Sequence, residues 1–293
     1  MERRDKFSSL HPLTQMLCFS YVLIMSMFVM HPVMLFISLA SACIYALYLS
    51  GTKKMLSLLF AMIPVIILTV AVNMLFNHRG ESILFYLSGK PVTREAMYFG
   101  FTSSLMLIAV LMWFSCYNAV MTSEKQMYLF GKLLPSFSLM LTMTLRLVPD
   151  FIRKINEISN AQKGFGAEKG SSKLKNGMSI LSTAVTCALE GAVIRADSMK
   201  SRGYGCERRT QYTRFVFKSE DKTVSALLLL FGAVCAYSVI KGAVYCEFYP
   251  TFSVNGTSAL SITGIFAFIL FCNIPMTLNF SEDIKWQVIK SRI

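Results

Sequence analysis

Charged side chains are missing from long stretches of this chain, and the gaps have the length of membrane spans. No Asp, Glu, Lys or Arg occurs between Phe7 and Thr52. A helix crossing a bilayer needs about 20 apolar residues. This run therefore predicts two spans, over about 13–30 and 32–50, with His31-Pro32 as the turn between them. Further charge-free runs cover Met55–His78, Ala96–Ser123, Thr223–Ile240 and Phe248–Ser281. The pattern predicts six spans.

The middle of the chain has a different period. Two shorter charge-free runs, Leu133–Leu145 and Asn176–Leu189, have the length of buried or interfacial helices. Over 133–163, Leu141, Leu145, Val148, Ile152, Ile155 and Ile158 recur at helical spacing. Another face carries Arg146, Asp150, Arg153 and Glu157, a ladder of alternating charge in which both acids are expected to be ion-paired. Pro149 predicts a kink near Leu147–Val148. A second helix, over about 178–200, places Leu181, Val185, Ala188, Ala192, Ala196 and Met199 on one face. Glu190, Arg195 and Asp197 lie off that face. Between the helices, Gly164 to Gly170 with Ser171 and Ser172 read as a flexible turn.

The expected fold is an all-α integral membrane protein with about six transmembrane helices and two long amphipathic cytoplasmic helices. Three regions follow: an N-terminal membrane region of four spans over 1–121, a cytoplasmic helix region over 122–222, and a C-terminal membrane region of two spans over 223–293.

Composition agrees. Only 15% of the 293 residues are charged and 54% are apolar, whereas a soluble domain carries about a quarter charged residues. That excludes an ordinary water-soluble enzyme and a disordered basic tail. The 29 Lys and Arg outnumber 16 Asp and Glu, and their placement predicts an orientation. With six spans, 25 basic residues fall on the side of the termini and the middle segment, and four (Arg79, Lys90, Arg94, Lys241) on the other. Basic residues stay cytoplasmic, so both termini are expected inside the plasma (inner) membrane. Met1–Lys6 is basic, but the apolar stretch after it is too long for a signal-peptide core and has no small-residue cleavage site. The first helix is expected to remain as an anchor.

The eight cysteines form no C-x-x-C pair and the three histidines are isolated, so neither a disulfide framework nor a metal site is expected. No cofactor is called for.

Both amphipathic helices end in a short basic tip. The first ends in Lys163, Gly164, Phe165 and Gly166; the second in Lys200, Ser201, Arg202, Gly203, Tyr204 and Gly205. Lys and Arg complement the helix dipole and glycine supplies a C-cap, so both ends could be solvated termini. The sharper reading makes them docking tips, since the arginine fork pairs bidentately with carboxylates.

A resemblance reaches these residues. The stretch from Ala188, Leu189 and Glu190 through Ala196 to Gly205 is similar to the second coupling motif of the T component of energy-coupling factor transporters, the EcfT or CbiQ family. Asn77–Leu87 resembles the family's external segment. Tyr128–Pro135 followed by Leu145–Pro149 resembles its entry into the coupling helices. The order covers roughly 10–280. The resemblance implies a membrane scaffold whose helix tips dock on two cytosolic ABC-type ATPase subunits, beside a membrane S component that supplies vitamin or metal specificity. It implies ATPase docking by Arg202, Ser201 and Gly203, with Arg202 as the polar anchor and Gly203 allowing close backbone approach. The first tip, Lys163, Gly164 and Phe165, departs from the family's usual arginine-glycine pair. Its anchor is either the Lys163 charge or an apolar contact through Phe165.

Other functions fit the residues less well. The 164–171 segment lacks the strand and lysine position of a phosphate loop, and no catalytic dyad or triad shares a face. A self-contained transporter or channel usually carries ionisable groups inside its spans; here Asn73 and Asn118 are the strongest polar residues near the span ends. The basic residues are interleaved with acids and apolar positions, which does not suit nucleic acid.

Overall fold

The computed structural model describes residues 5–77, 80–87, 90–133, 135–164, 173–204, 215–249, 253–255 and 258–291. Nine helices and two short hairpins are found among them: α1 (Lys6–Ser9), α2 (Pro12–Phe28), α3 (Pro32–Phe76), β1 (Ile83–Leu87), β2 (Lys90–Thr93), α4 (Arg94–Val120), α5 (Ser123–Leu133), α6 (Pro135–Gly164), α7 (Lys173–Ser201), α8 (Ser219–Ile240), β3 (Tyr245–Glu247), β4 (Ser253–Asn255) and α9 (Ala259–Ser291). The chain forms two compact units, residues 1–122 with 215–293, and residues 123–214.

The first unit is a helical membrane bundle that also carries the two short hairpins. Helix α3 has 45 residues, about 68 Å at 1.5 Å per residue, twice a hydrocarbon core of about 30 Å. It is broken at Gly51, whose φ of 76° is not helical, just before Lys53 and Lys54. The two halves correspond to the spans expected over 32–50 and 55–78. Helices α3, α4, α7, α8 and α9 are long and apolar enough to cross a membrane, and α2 is apolar but has 17 residues. Helix α7 is the least apolar of those five.

One span differs from expectation. The last was expected from Phe248, but α9 starts at Ala259 and the intervening stretch contains strand β4. A charge-free run does not separate strand from helix, and Pro250 and Gly256 interrupt this one. At its other end α9 continues through Glu282, Asp283 and Lys285 to Ser291.

Aromatic side chains fill the bundle. Phe7 and Phe19 meet edge to face at 5.8 Å, Phe7 and Tyr45 at 6.2 Å, and Phe19 and Trp113 at 6.1 Å. Trp113 is fully buried, and its Nε1 donates to Ser38 Oγ at 3.0 Å. Ser38 also shares a 3.0 Å bond with Ser26. This closes the indole's polar edge inside an apolar layer.

Helices α8 and α9 approach closely at Gly264. A Cβ there would fall on the Ser238 hydroxyl, 2.6 Å from Ser238 Cβ. Gly264→Ala is expected to destabilise the bundle by about 1–3 kcal/mol through overpacking, read as a lower thermal midpoint in detergent. Ser238→Gly in the same background should restore part of the loss; no rescue would place the strain elsewhere.

Polar groups gather where α1, α2, α8 and α9 meet. Asn279 Oδ1 accepts from the backbone N–H of Lys6 at 2.8 Å and of Phe7 at 3.3 Å. Lys6 Nζ bonds Glu282 Oε2 at 2.7 Å and lies 3.7 Å from Glu220. Asp221, 2% exposed, accepts from the backbone N–H of His11 and of Lys218, each at 2.8 Å. The Lys6 hydrogen bond holds the Glu282 carboxyl below its ordinary range, and the same bond raises the Lys6 ammonium. The Glu282 contribution is present above its unfolded pKa and is lost as pH falls through the lowered folded value. The Lys6 contribution is present below its unfolded pKa and is lost as pH rises through the raised one. The pair therefore holds across neutral pH.

Candidate functional site

The second unit carries the basic tips. Helix α6 runs from Pro135 through Pro149 to Gly164, although Pro149 has no N–H to donate to the Leu145 carbonyl. Its charge ladder forms in part: Arg153 bonds Asp150 at 2.8 Å, whereas Glu157 has no ion-pair partner among the described residues. Both acids were expected to be paired. An exposed i,i+4 pair gains only a few tenths of a kcal/mol, and side-chain entropy opposes it.

The apolar faces expected to be buried or interfacial are exposed within this unit. Leu145 is 43% exposed and Ile152 53% on α6; Leu181 is 59% and Leu189 65% on α7. Ala184 is the buried position of α7 among the described residues, and α6 is the helix it packs against. An apolar stripe of this length calls for a partner or lipid.

Gln162 Nε2, two residues from the end of α6, donates to Ser179 Oγ near the start of α7 at 3.1 Å. This tie brings the end of α6 beside the start of α7. From Ser179 to Ser201, α7 rises about 33 Å at 1.5 Å per residue. The two tips therefore stand at opposite ends of one helix.

Residue by residue, the tips differ in how fully they are described. Lys163 and Gly164 close α6, and both are exposed; a Cβ on Gly164 would meet nothing within 4 Å. Phe165 lies outside the described residues, so the choice between a charged and an apolar first anchor rests on sequence. At the second tip Ser201, Arg202 and Gly203 are all exposed. Ser201 Oγ is occupied by the Ser198 carbonyl at 2.9 Å. The Arg202 guanidinium has no partner among the described residues, Asp197 included. It projects from a closed helix end. Tyr204 N–H donates to the Met199 carbonyl at 3.0 Å, Gly203 N–H to that of Lys200 at 3.1 Å, and Gly203 has φ 81°. This is a Schellman C-cap, and it fixes the backbone that carries Arg202. Gly203→Ala should cost about 1–2 kcal/mol at this left-handed position. Amide exchange at residues 203 and 204 should quicken in the variant; unchanged protection would contradict the cap's role.

Sequence reasoning missed two polar features of the membrane unit. One is Asp221. The other is Glu95, 6% exposed at the start of α4, which accepts from Ser82 Oγ at 2.6 Å beneath Gly80. Among the described residues no group of three His, Cys, Asp or Glu side chains could hold a metal ion.

A bundle of helices long and apolar enough to cross a membrane, joined to a second unit with two exposed cationic helix ends, defines a multi-pass membrane protein. The CbiQ family of cobalt transport proteins matches residues 6–212, from α1 past the second tip, and the chain belongs to that family. It is similar to the energy-coupling factor transporter transmembrane protein EcfT of Streptococcus thermophilus, 26% identical over 218 residues, covering 69% of this chain and 80% of that protein. The EcfT of Streptococcus equi subsp. equi is also 26% identical, over 205 residues, covering 64% of this chain and 72% of that protein. An uncharacterised MG181 homologue of Mycoplasma pneumoniae is 28% identical over 116 residues, 38% of this chain and 27% of that protein.

Proposed function

We propose that this chain is the non-catalytic coupling subunit of an energy-coupling factor importer. It docks on two cytosolic ABC-type ATPase subunits and passes their ATP-driven motion to a membrane S component, which binds the vitamin or metal ion carried. The observation that carries this reading is the pair of exposed cationic helix ends about 33 Å apart along α7, within the segment matched to the family. One helix can thus address two partner subunits at once. The second tip presents Arg202 on a capped backbone, with Ser201 and Gly203 beside it. The first presents Lys163, Gly164 and Phe165.

Both termini and residues 122–222 lie on the cytoplasmic side in this reading, because the basic residues concentrate there. Helix α7 belongs to that side rather than to the bilayer: Glu190, Arg195, Asp197 and Lys200 all fall in its C-terminal half. Charges within a span cost about 3 kcal/mol each near its centre. The chain itself supplies no chemistry and holds no cofactor; the energy comes from its partners.

Purification of the tagged chain from its native membrane tests the proposal. Two nucleotide-binding ATPase subunits and a small membrane protein should accompany it. A lone chain that transports substrate in vesicles would overturn it.

A further inference from the structure

At the end of the bundle away from the polar knot of α1, α8 and α9 lies a cavity of about 500 Å³. Its walls come from the end of α2 (Phe28, Val29, Met30), the start of α4 (Phe99), the end of α8 (Val239) and the segment around β3. Phe99 anchors it, meeting Phe248 edge to face at 5.5 Å and Tyr249 at 5.9 Å. Asn77 Nδ2 donates to Tyr249 OH at 2.6 Å, tying the end of α3 to the same wall. The volume lies within the range of small-molecule sites.

The lining has one sign of charge. Glu247, exposed on β3, has no ion-pair partner among the described residues, and no Lys, Arg or His is found among the described lining residues. Aromatic faces attract cations, and a carboxylate accepts hydrogen bonds from an ammonium. The cavity therefore suits a cationic amine attached to an apolar body, and its described lining offers no cationic side chain to a phosphate alone. Its surroundings point to lipid rather than water. Phe28 on the wall is 81% exposed, and Ile240, next to Val239, is 83% exposed. Both stand at the ends of apolar helices, at the level where headgroups meet acyl chains.

We propose that this cavity binds an aminophospholipid, with the ammonium at Glu247 among the aromatic rings and the upper acyl carbons along Phe28 and Val239. The site is separate from the helix tips, so it stands or falls independently of ATPase docking.

Native mass spectrometry of the full chain, released from micelles holding equal amounts of phosphatidylethanolamine and phosphatidylglycerol, tests this. One phosphatidylethanolamine should be retained in preference. Glu247→Gln should reduce that retention about tenfold, as loss of a charge-assisted hydrogen bond does. Val239→Trp, which fills the cavity, should abolish it, while both variants keep the wild-type melting midpoint and phosphatidylglycerol retention. Equal retention of the two lipids, or unchanged phosphatidylethanolamine retention in both variants, would overturn the proposal. So would binding of free tetraethylammonium without any phosphatidylethanolamine, since the ligand would then be a soluble cation.

Discussion

Arg202→Ala is expected to lower uptake by about tenfold or more while the S component still binds its substrate with unchanged affinity. The estimate follows from the chemistry of the tip. A hydrogen bond to a charged group contributes about 1.5–3 kcal/mol, and 1.4 kcal/mol is a factor of ten in an equilibrium. Arg202 has no internal partner among the described residues that its removal would disturb, and it lies outside the membrane unit. Folding of the bundle should therefore be unaffected. Arg202→Lys should recover only part of the uptake, because the ammonium keeps the charge but not the planar fork. Arg202→Glu should abolish it by placing like charges together. Uptake in vesicles, measured beside ATPase activity of the purified complex, separates docking from general damage. Wild-type uptake in the alanine variant would remove Arg202 from its assigned role.

Asp221→Ala should produce the largest loss of stability, about 3 kcal/mol or more. Its carboxylate is 2% exposed and accepts two backbone N–H groups, one of them 210 residues away in sequence. The buried His11 donor left unsatisfied costs about 1–3 kcal/mol, and loss of the part-buried bond from Lys218 adds about 1 kcal/mol. The effect should be felt at two helix starts together, because His11 caps α2 and Lys218 precedes α8. Asp221→Asn keeps one acceptor and should lose about half as much. Thermal unfolding in detergent reads both variants; equal midpoints for alanine and wild type would contradict this account of the knot.

The two predictions concern residues of very different legibility. Arg202 could be found from sequence because a helix C-terminus is a local feature. Met199 to Tyr204 contains the whole cap, and Gly203 announces it. The spans were legible for a related reason: a charge-free run of span length reports burial in lipid without reference to any partner. Lys53 and Lys54 marked the turn inside α3 even though Gly51 makes the actual break. The start of α9 was misplaced because Phe248–Asn255 is as free of charge as a helix would be. Asp221 was illegible. The Lys218 N–H is a local partner that any first-turn acid could have, but the His11 N–H that buries it lies 210 residues away in sequence. The same holds for the contact of Gly264 with Ser238 and for the cavity beside Phe99. Each is assembled from distant segments that carry no shared local pattern. Glu157 shows the converse, a local pattern that predicted an ion pair too weak to form.

Docking of the α7 tip on an ATPase subunit can be read by cross-linking at that tip. A photo-crosslinking residue is placed at position 204, beside Arg202, in the full chain in its native membrane. A second chain carries it at position 245, in strand β3 of the membrane unit. An adduct with a nucleotide-binding ATPase subunit is expected from position 204, lost on Arg202→Glu, and none from position 245. Adducts only with lipid or a membrane protein from position 204, or an ATPase adduct that Arg202→Glu leaves unchanged, would contradict it.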